Sequence, residues 1–101
     1  MVGLQWTSEA KKWLHDIHSY ISQDNPLAAE KVINGIIEKA EMLREFPEIG
    51  QLIFPEMERG LRMLLYGHYR IVYLLDKSGK NISIIGVYHG SLDIQSRLKT
   101  L

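Results

Sequence analysis

The chain has 101 residues, 46% of them hydrophobic and 24% charged, with no cysteine. That is room for one domain spanning 1–101 with a thin core, and it excludes disulfide scaffolds, thiolate metal centres and thiol nucleophiles. The formal net charge of +0 hides an asymmetry, 5 Lys+Arg against 8 Asp+Glu in residues 1–51 and 7 against 4 in residues 52–101. An anionic partner is therefore expected at the C-terminal half, although a pI near 6.9 argues against the broad basic footprint of nucleic-acid proteins.

Val2, Leu4 and Trp6 alternate with Gly3 and Gln5, which predicts a short strand with one buried face. Thr7 or Ser8 then caps a helix whose apolar stripe runs through Ala10, Trp13, Leu14, Ile17 and Ile21. Asp24-Asn25-Pro26 stops that helix and starts a second, with Asn25 as N-cap and Pro26 in the first helical position. The second helix buries Ala29, Val32, Ile33, Ile36, Ile37, Ala40 and Leu43. Gly35 inside it costs about 1 kcal/mol against alanine, which predicts the close approach of another backbone.

Residues 47–60 hold Pro47, Gly50, Pro55 and Gly60 without a sustained period and read as a surface loop. Strands follow at Leu61–Tyr66 and Tyr69–Asp76, separated by a tight turn at Gly67-His68, and a third runs over Ile82–His89. A short helical tail is expected beyond Ser91. The order β-α-α-β-β-β gives an α+β two-layer sandwich: an N-terminal strand, an antiparallel helical hairpin, and a three-stranded antiparallel meander with one face covered. The other face is expected to lie open.

No apolar run reaches the roughly 18 residues of a membrane span, and no signal pattern opens the chain. A cytoplasmic location with no membrane partner is expected. His15 and His18 share a helix without accompanying carboxylate ligands, so no metal or other cofactor is expected. The glycines are scattered singly and form no phosphate loop.

Arg62 and Arg70 stand inside apolar strand runs, where an unpaired buried charge is prohibitively costly. Arg62 reads either as an anchor to a carboxylate such as Glu56 or Asp93 or as a partner contact. Arg70 lies in the central strand of the meander and has the stronger claim to function. With a two-residue turn at Gly67-His68 the two arginines fall on opposite faces, and a loop one residue longer or shorter unites them. His89, at the end of the last strand, is suited to proton transfer or anion contact. Tyr66, Tyr69, Tyr73 and Tyr88 offer rings either for packing or for stacking on bases.

Taken together, Asn25-Pro26 followed by Ala28-Ala29-Glu30, Tyr69-Arg70-Ile71-Val72-Tyr73, and Val87-Tyr88-His89-Gly90 with Asp93 resemble the RelE/ParE superfamily of toxins from type II toxin–antitoxin systems. The likeness runs from Leu4 to about Asp93. It implies a partner antitoxin, a hetero-oligomer with it, and coupled folding and binding of the antitoxin on the toxin. It also implies one of two activities. RelE-like members cut mRNA on the ribosome, with Arg70 and His89 as the matching catalytic residues. ParE-like members, of the plasmid-stabilisation type, poison DNA gyrase by binding.

The residues favour the ParE side, because Leu61, Met63 and Gly90 stand where the nucleases carry cations. Stabilising a phosphorane-like transition state needs several cations on one phosphate. The partner-binding set expected is Arg62, Arg70, Tyr73, Tyr88, His89 and Asp93. Leu92 occupies the place of an arginine common in that subfamily, so a degenerate member that keeps the fold and antitoxin binding without toxicity is a third reading.

Overall fold

The computed structural model describes residues 1–53 and 60–90. Strand β1 (Gly3–Trp6) leads into helix α1 (Ser8–Ser22), and helix α2 (Pro26–Glu41) continues into a 3₁₀ turn at Met42–Arg44. Strands β2 (Gln51–Leu52), β3 (Leu61–Tyr66), β4 (Tyr69–Leu75) and β5 (Asn81–His89) follow. They form one five-stranded sheet in the order β1-β5-β4-β3-β2, with β1 parallel to β5 and the other pairs antiparallel. This is the expected α+β architecture with one strand more than anticipated. β2 lies in the Pro- and Gly-rich stretch that reads as a loop, where two residues are too few to show an alternating pattern.

Helix starts are fixed locally. The Thr7 side chain accepts from the Ala10 amide at 3.1 Å, and its hydroxyl donates to Ile84 O at 2.9 Å, so the cap also pins α1 to β5. Asn25 Oδ1 accepts from the Ala28 amide at 3.0 Å. Each such cap stabilises by about 1 kcal/mol over alanine. The two helices close over one sheet face, where Ala10, Ile36, Ala40, Leu43, Leu64, Ile71, Tyr73, Ile82, Ile84 and Val87 form the main core.

Gly35 makes a close approach, but to a side chain rather than a backbone. A Cβ built there would fall 1.8 Å from the Tyr66 hydroxyl oxygen, so the missing side chain is what lets the Tyr66 ring lie against α2. The expectation of a backbone neighbour is corrected accordingly.

The β3–β4 turn holds two residues, since Tyr66 pairs with Tyr69 and Leu65 with Arg70. Gly67 takes a φ of 57° there, a left-handed conformation that costs glycine least. β5 carries an extra residue. Tyr73 pairs with Ile84 but Val72 with Gly86, which leaves Ile85 unpaired as a bulge. The bulge reverses the parity of the strand, so Val87 joins the helix-covered core and Tyr88 turns to the second face.

That second face is not bare, contrary to expectation. Leu61, Val72 and Tyr88 form a buried cluster there, with Val72 0% exposed. Trp13, Ile53, Met63, Leu74 and Ile85 pack around it. The Trp13 and Tyr88 rings meet edge to face with centroids 4.8 Å apart, so α1 contributes to both clusters through one large indole.

At the β4–β5 turn, Asp76 accepts from the Ser78 hydroxyl (2.8 Å), the Lys80 amide (3.1 Å) and the Asn81 side-chain amide (3.1 Å). These donors stabilise the carboxylate, the Ser78 hydroxyl most, and hold its pKa down at about 2.

Candidate interaction site

The register sends the two strand arginines to opposite faces. Arg62 pairs with Tyr73 on the helix-covered side and Arg70 with Tyr88 on the other. Glu56 and Asp93, the acids expected to anchor Arg62, lie outside the described residues. Its guanidinium donates to the backbone carbonyls of Gly50 (2.8 Å) and Glu48 (3.0 Å).

Tyr73 holds the same segment from beneath. Its hydroxyl donates to Pro47 O and accepts from the Gly50 amide, both at 2.9 Å. The ring is 0% exposed, so Tyr73 presents no surface to a partner. Burial raises its pKa above the ordinary phenol value, against the lowering influence of the Gly50 bond and the Arg62 charge. Gly50 has no room to spare, because a Cβ there would meet the Tyr73 hydroxyl oxygen at 2.5 Å. Arg62 and Tyr73 thus fix a rigid rim over residues 47–50. Beside it Phe46, Ile49 and Leu52 are exposed at 55%, 48% and 42%, and a shallow cavity of about 430 Å³ is lined by Phe46, Pro47, Glu48 and Ile49.

Arg70 stands elsewhere. It is half-buried, its Nη1 lies 3.8 Å from the Met63 sulfur, and no carboxylate pairs with it among the described residues. It opens into a cleft of about 330 Å³ at the end of the sheet, lined by Leu65, Gly67, His68, Arg70, His89 and Gly90. The Gly90 amide donates to His68 O at 2.7 Å, which draws the end of β5 against the β3–β4 turn. The His68 and His89 rings consequently lie near-parallel, 23° apart with centroids at 6.1 Å. Tyr69 meets His89 edge-on at 5.5 Å.

Of the expected residues, the cleft gathers Arg70 and His89 and excludes Arg62 and Tyr73. Tyr88 is 5% exposed and packs on Trp13. Asp93 lies outside the described residues. Sequence reasoning missed His68 as a site residue, since it reads only as a turn position. The pairing of its turn with the end of β5 is what brings it to His89.

The described residues hold no group of three or more His, Cys, Asp or Glu placed for a metal ion. No described helix is long and apolar enough to cross a membrane.

Residues 4–94 match the protein family described as the ParE toxin of the type II toxin–antitoxin system parDE. Among solved structures, the chromosomal ParDE toxin–antitoxin system of P. aeruginosa superposes with a TM-score of 0.71 at 24% identity, over 88% of this chain and 96% of that one. The toxin–antitoxin complex RelBE2 of Mycobacterium tuberculosis superposes with a TM-score of 0.66 at 22% identity, over 87% and 96%. No curated protein matches the sequence.

Proposed function

The chain belongs to the ParE toxin family of type II toxin–antitoxin systems, and we propose that it acts by binding, with DNA gyrase as its target and an antitoxin as the partner that neutralises it. The separation of the arginines carries this reading. Arg62 is spent on the carbonyls of Glu48 and Gly50 and faces away from Arg70. A nuclease must focus several cations on one scissile phosphate to stabilise the charge of its transition state. Among the described residues, the cleft at the sheet end offers Arg70 with two imidazoles and no lysine. The apolar side chains Phe46, Ile49 and Leu52, rimmed by polar residues, suit contact with another protein.

In this account the antitoxin is a segment that folds on the toxin, buries apolar surface and places an acidic group against Arg70. Surface-plasmon measurements with immobilised gyrase holoenzyme test the target. Saturable toxin binding that an equimolar antitoxin abolishes supports the proposal, and no binding to gyrase refutes it.

One observation favours a second reading. Arg70 and His89 share a cleft, which is what a ribosome-dependent mRNA endoribonuclease would use for charge stabilisation and proton transfer. Codon-phased cuts in mRNA on translating ribosomes would establish it. A protein that binds antitoxin but leaves both gyrase and mRNA untouched would be a family member without toxicity.

A further inference from the structure

We propose that the cleft between the β3–β4 turn and the end of β5 is a docking point for a single carboxylate on a protein partner, gripped by Arg70 and flanked by His68 and His89. The inference rests on the protein-binding reading above and adds His68 and the ligand chemistry to it. A half-buried guanidinium without a carboxylate partner is under-compensated, because partial burial strips solvent without supplying a counter-charge. Arg70 is in that position, with the Met63 sulfur beside it, and among the described residues no acidic side chain lines the cleft. The planar fork of arginine matches a carboxylate with two parallel bonds.

A Cβ at Gly90 would stand 3.6 Å from Arg70 Nε and 3.7 Å from Nη2, so Gly90 itself puts no side chain against that edge of the guanidinium. The His68 imidazole, near-parallel to His89 with centroids 6.1 Å apart, supplies a further N–H donor at the mouth. Leu65, 56% exposed, forms an apolar shoulder beside them.

An acidic side chain fits this site better than a nucleic-acid phosphate. Nucleic acids are held by cations in series along a backbone, whereas the chain has no net charge and Arg62 faces the other way. One anion-binding point with an apolar neighbour matches a protein segment in which an acidic residue is flanked by an aliphatic one.

The test follows the imidazole C–H resonances of His68 and His89 in the full chain by NMR. Three probes are titrated: a short capped peptide of alternating Leu and Glu, its Leu and Gln counterpart, and a single-stranded oligodeoxynucleotide. The expected result is saturable movement of both histidines with the Glu peptide alone. R70A should weaken that binding roughly tenfold or more, as loss of a charge-assisted pair does. R70K, which keeps the charge and loses the fork, should fall between, and H68A, at an exposed turn, should weaken it about threefold, the loss of one hydrogen bond. Amide spectra of each variant confirm folding.

Equal responses to the Glu and Gln peptides, or tighter binding of the oligonucleotide, overturn the inference. If gyrase binding persists while the Glu peptide fails, the inference alone falls. If the oligonucleotide wins and mRNA is cut, the protein-binding reading falls with it.

Discussion

Replacing Tyr73 with phenylalanine removes one oxygen and tests whether the rim over residues 47–50 is held as described. The hydroxyl donates to Pro47 O and accepts from the Gly50 amide, each at 2.9 Å. Two ordinary hydrogen bonds contribute about 0.5–1.5 kcal/mol apiece, and a buried group left without its partner costs about 1–3 kcal/mol. Gly50 is buried and its amide has no other acceptor among the described residues, so it bears the full penalty, whereas the bond to Pro47 is only partly buried and its carbonyl recovers water. The ring itself stays in place, so no large cavity forms. Weighing these terms gives a loss of about 2–3 kcal/mol, a substantial part of the roughly 5–15 kcal/mol that holds a small domain folded. Urea denaturation followed by tryptophan fluorescence reads it as a lower midpoint at unchanged slope. In a scan it corresponds to a fall of roughly 10–20 °C in Tm. A loss under about 0.5 kcal/mol would mean that the two bonds contribute nothing net, and the account of the rim would be wrong. R62A provides the matched control, since it releases the carbonyls of Glu48 and Gly50 from the exposed side and should cost less than Y73F.

Other outcomes follow from the same geometry. G35A should destabilise despite removing a helix glycine, because the new Cβ meets the Tyr66 hydroxyl. In a Y66A background the same change should instead stabilise by about 1 kcal/mol, the helix propensity of alanine over glycine. G50A should be more damaging than G35A, since its Cβ meets Tyr73, which is buried and cannot swing away. Asp76 is held at about 2, below the ordinary 3.8. Its contribution is therefore present above pH 4 and lost as pH falls through about 2, and D76N should flatten the acid limb of the stability curve. R70A should weaken the antitoxin complex by about 2–5 kcal/mol in calorimetry, the cost of truncating one partner of a buried charge pair. Unchanged affinity would remove Arg70 from that interface.

Much of the architecture can be read from the residues because the local signals agree with one another. The spacing of Ala10, Trp13, Leu14 and Ile17, the caps at Thr7 and Asn25, and the Gly67-His68 turn each point to the elements found. Once that turn is known to hold two residues, the opposite placement of Arg62 and Arg70 follows from the period of a strand. What could not be read arises from pairing between distant segments. β2 is two residues long and becomes a strand only by lying beside β3. The bulge at Ile85 breaks strict alternation, so counting from Ile84 puts Tyr88 on the wrong face. The neighbour of Gly35 is a ring from another strand, and its identity is written nowhere near position 35. His68 gains its place beside His89 only because the Gly90 amide bonds back to the turn.

Gyrase activity tests most directly whether this toxin grips a protein rather than severing RNA. Purified toxin added to gyrase and relaxed plasmid should block supercoiling and trap cleaved DNA on the enzyme, and equimolar antitoxin should restore supercoiling. Undisturbed supercoiling, together with codon-phased cuts when the same preparation meets translating ribosomes, would contradict the account.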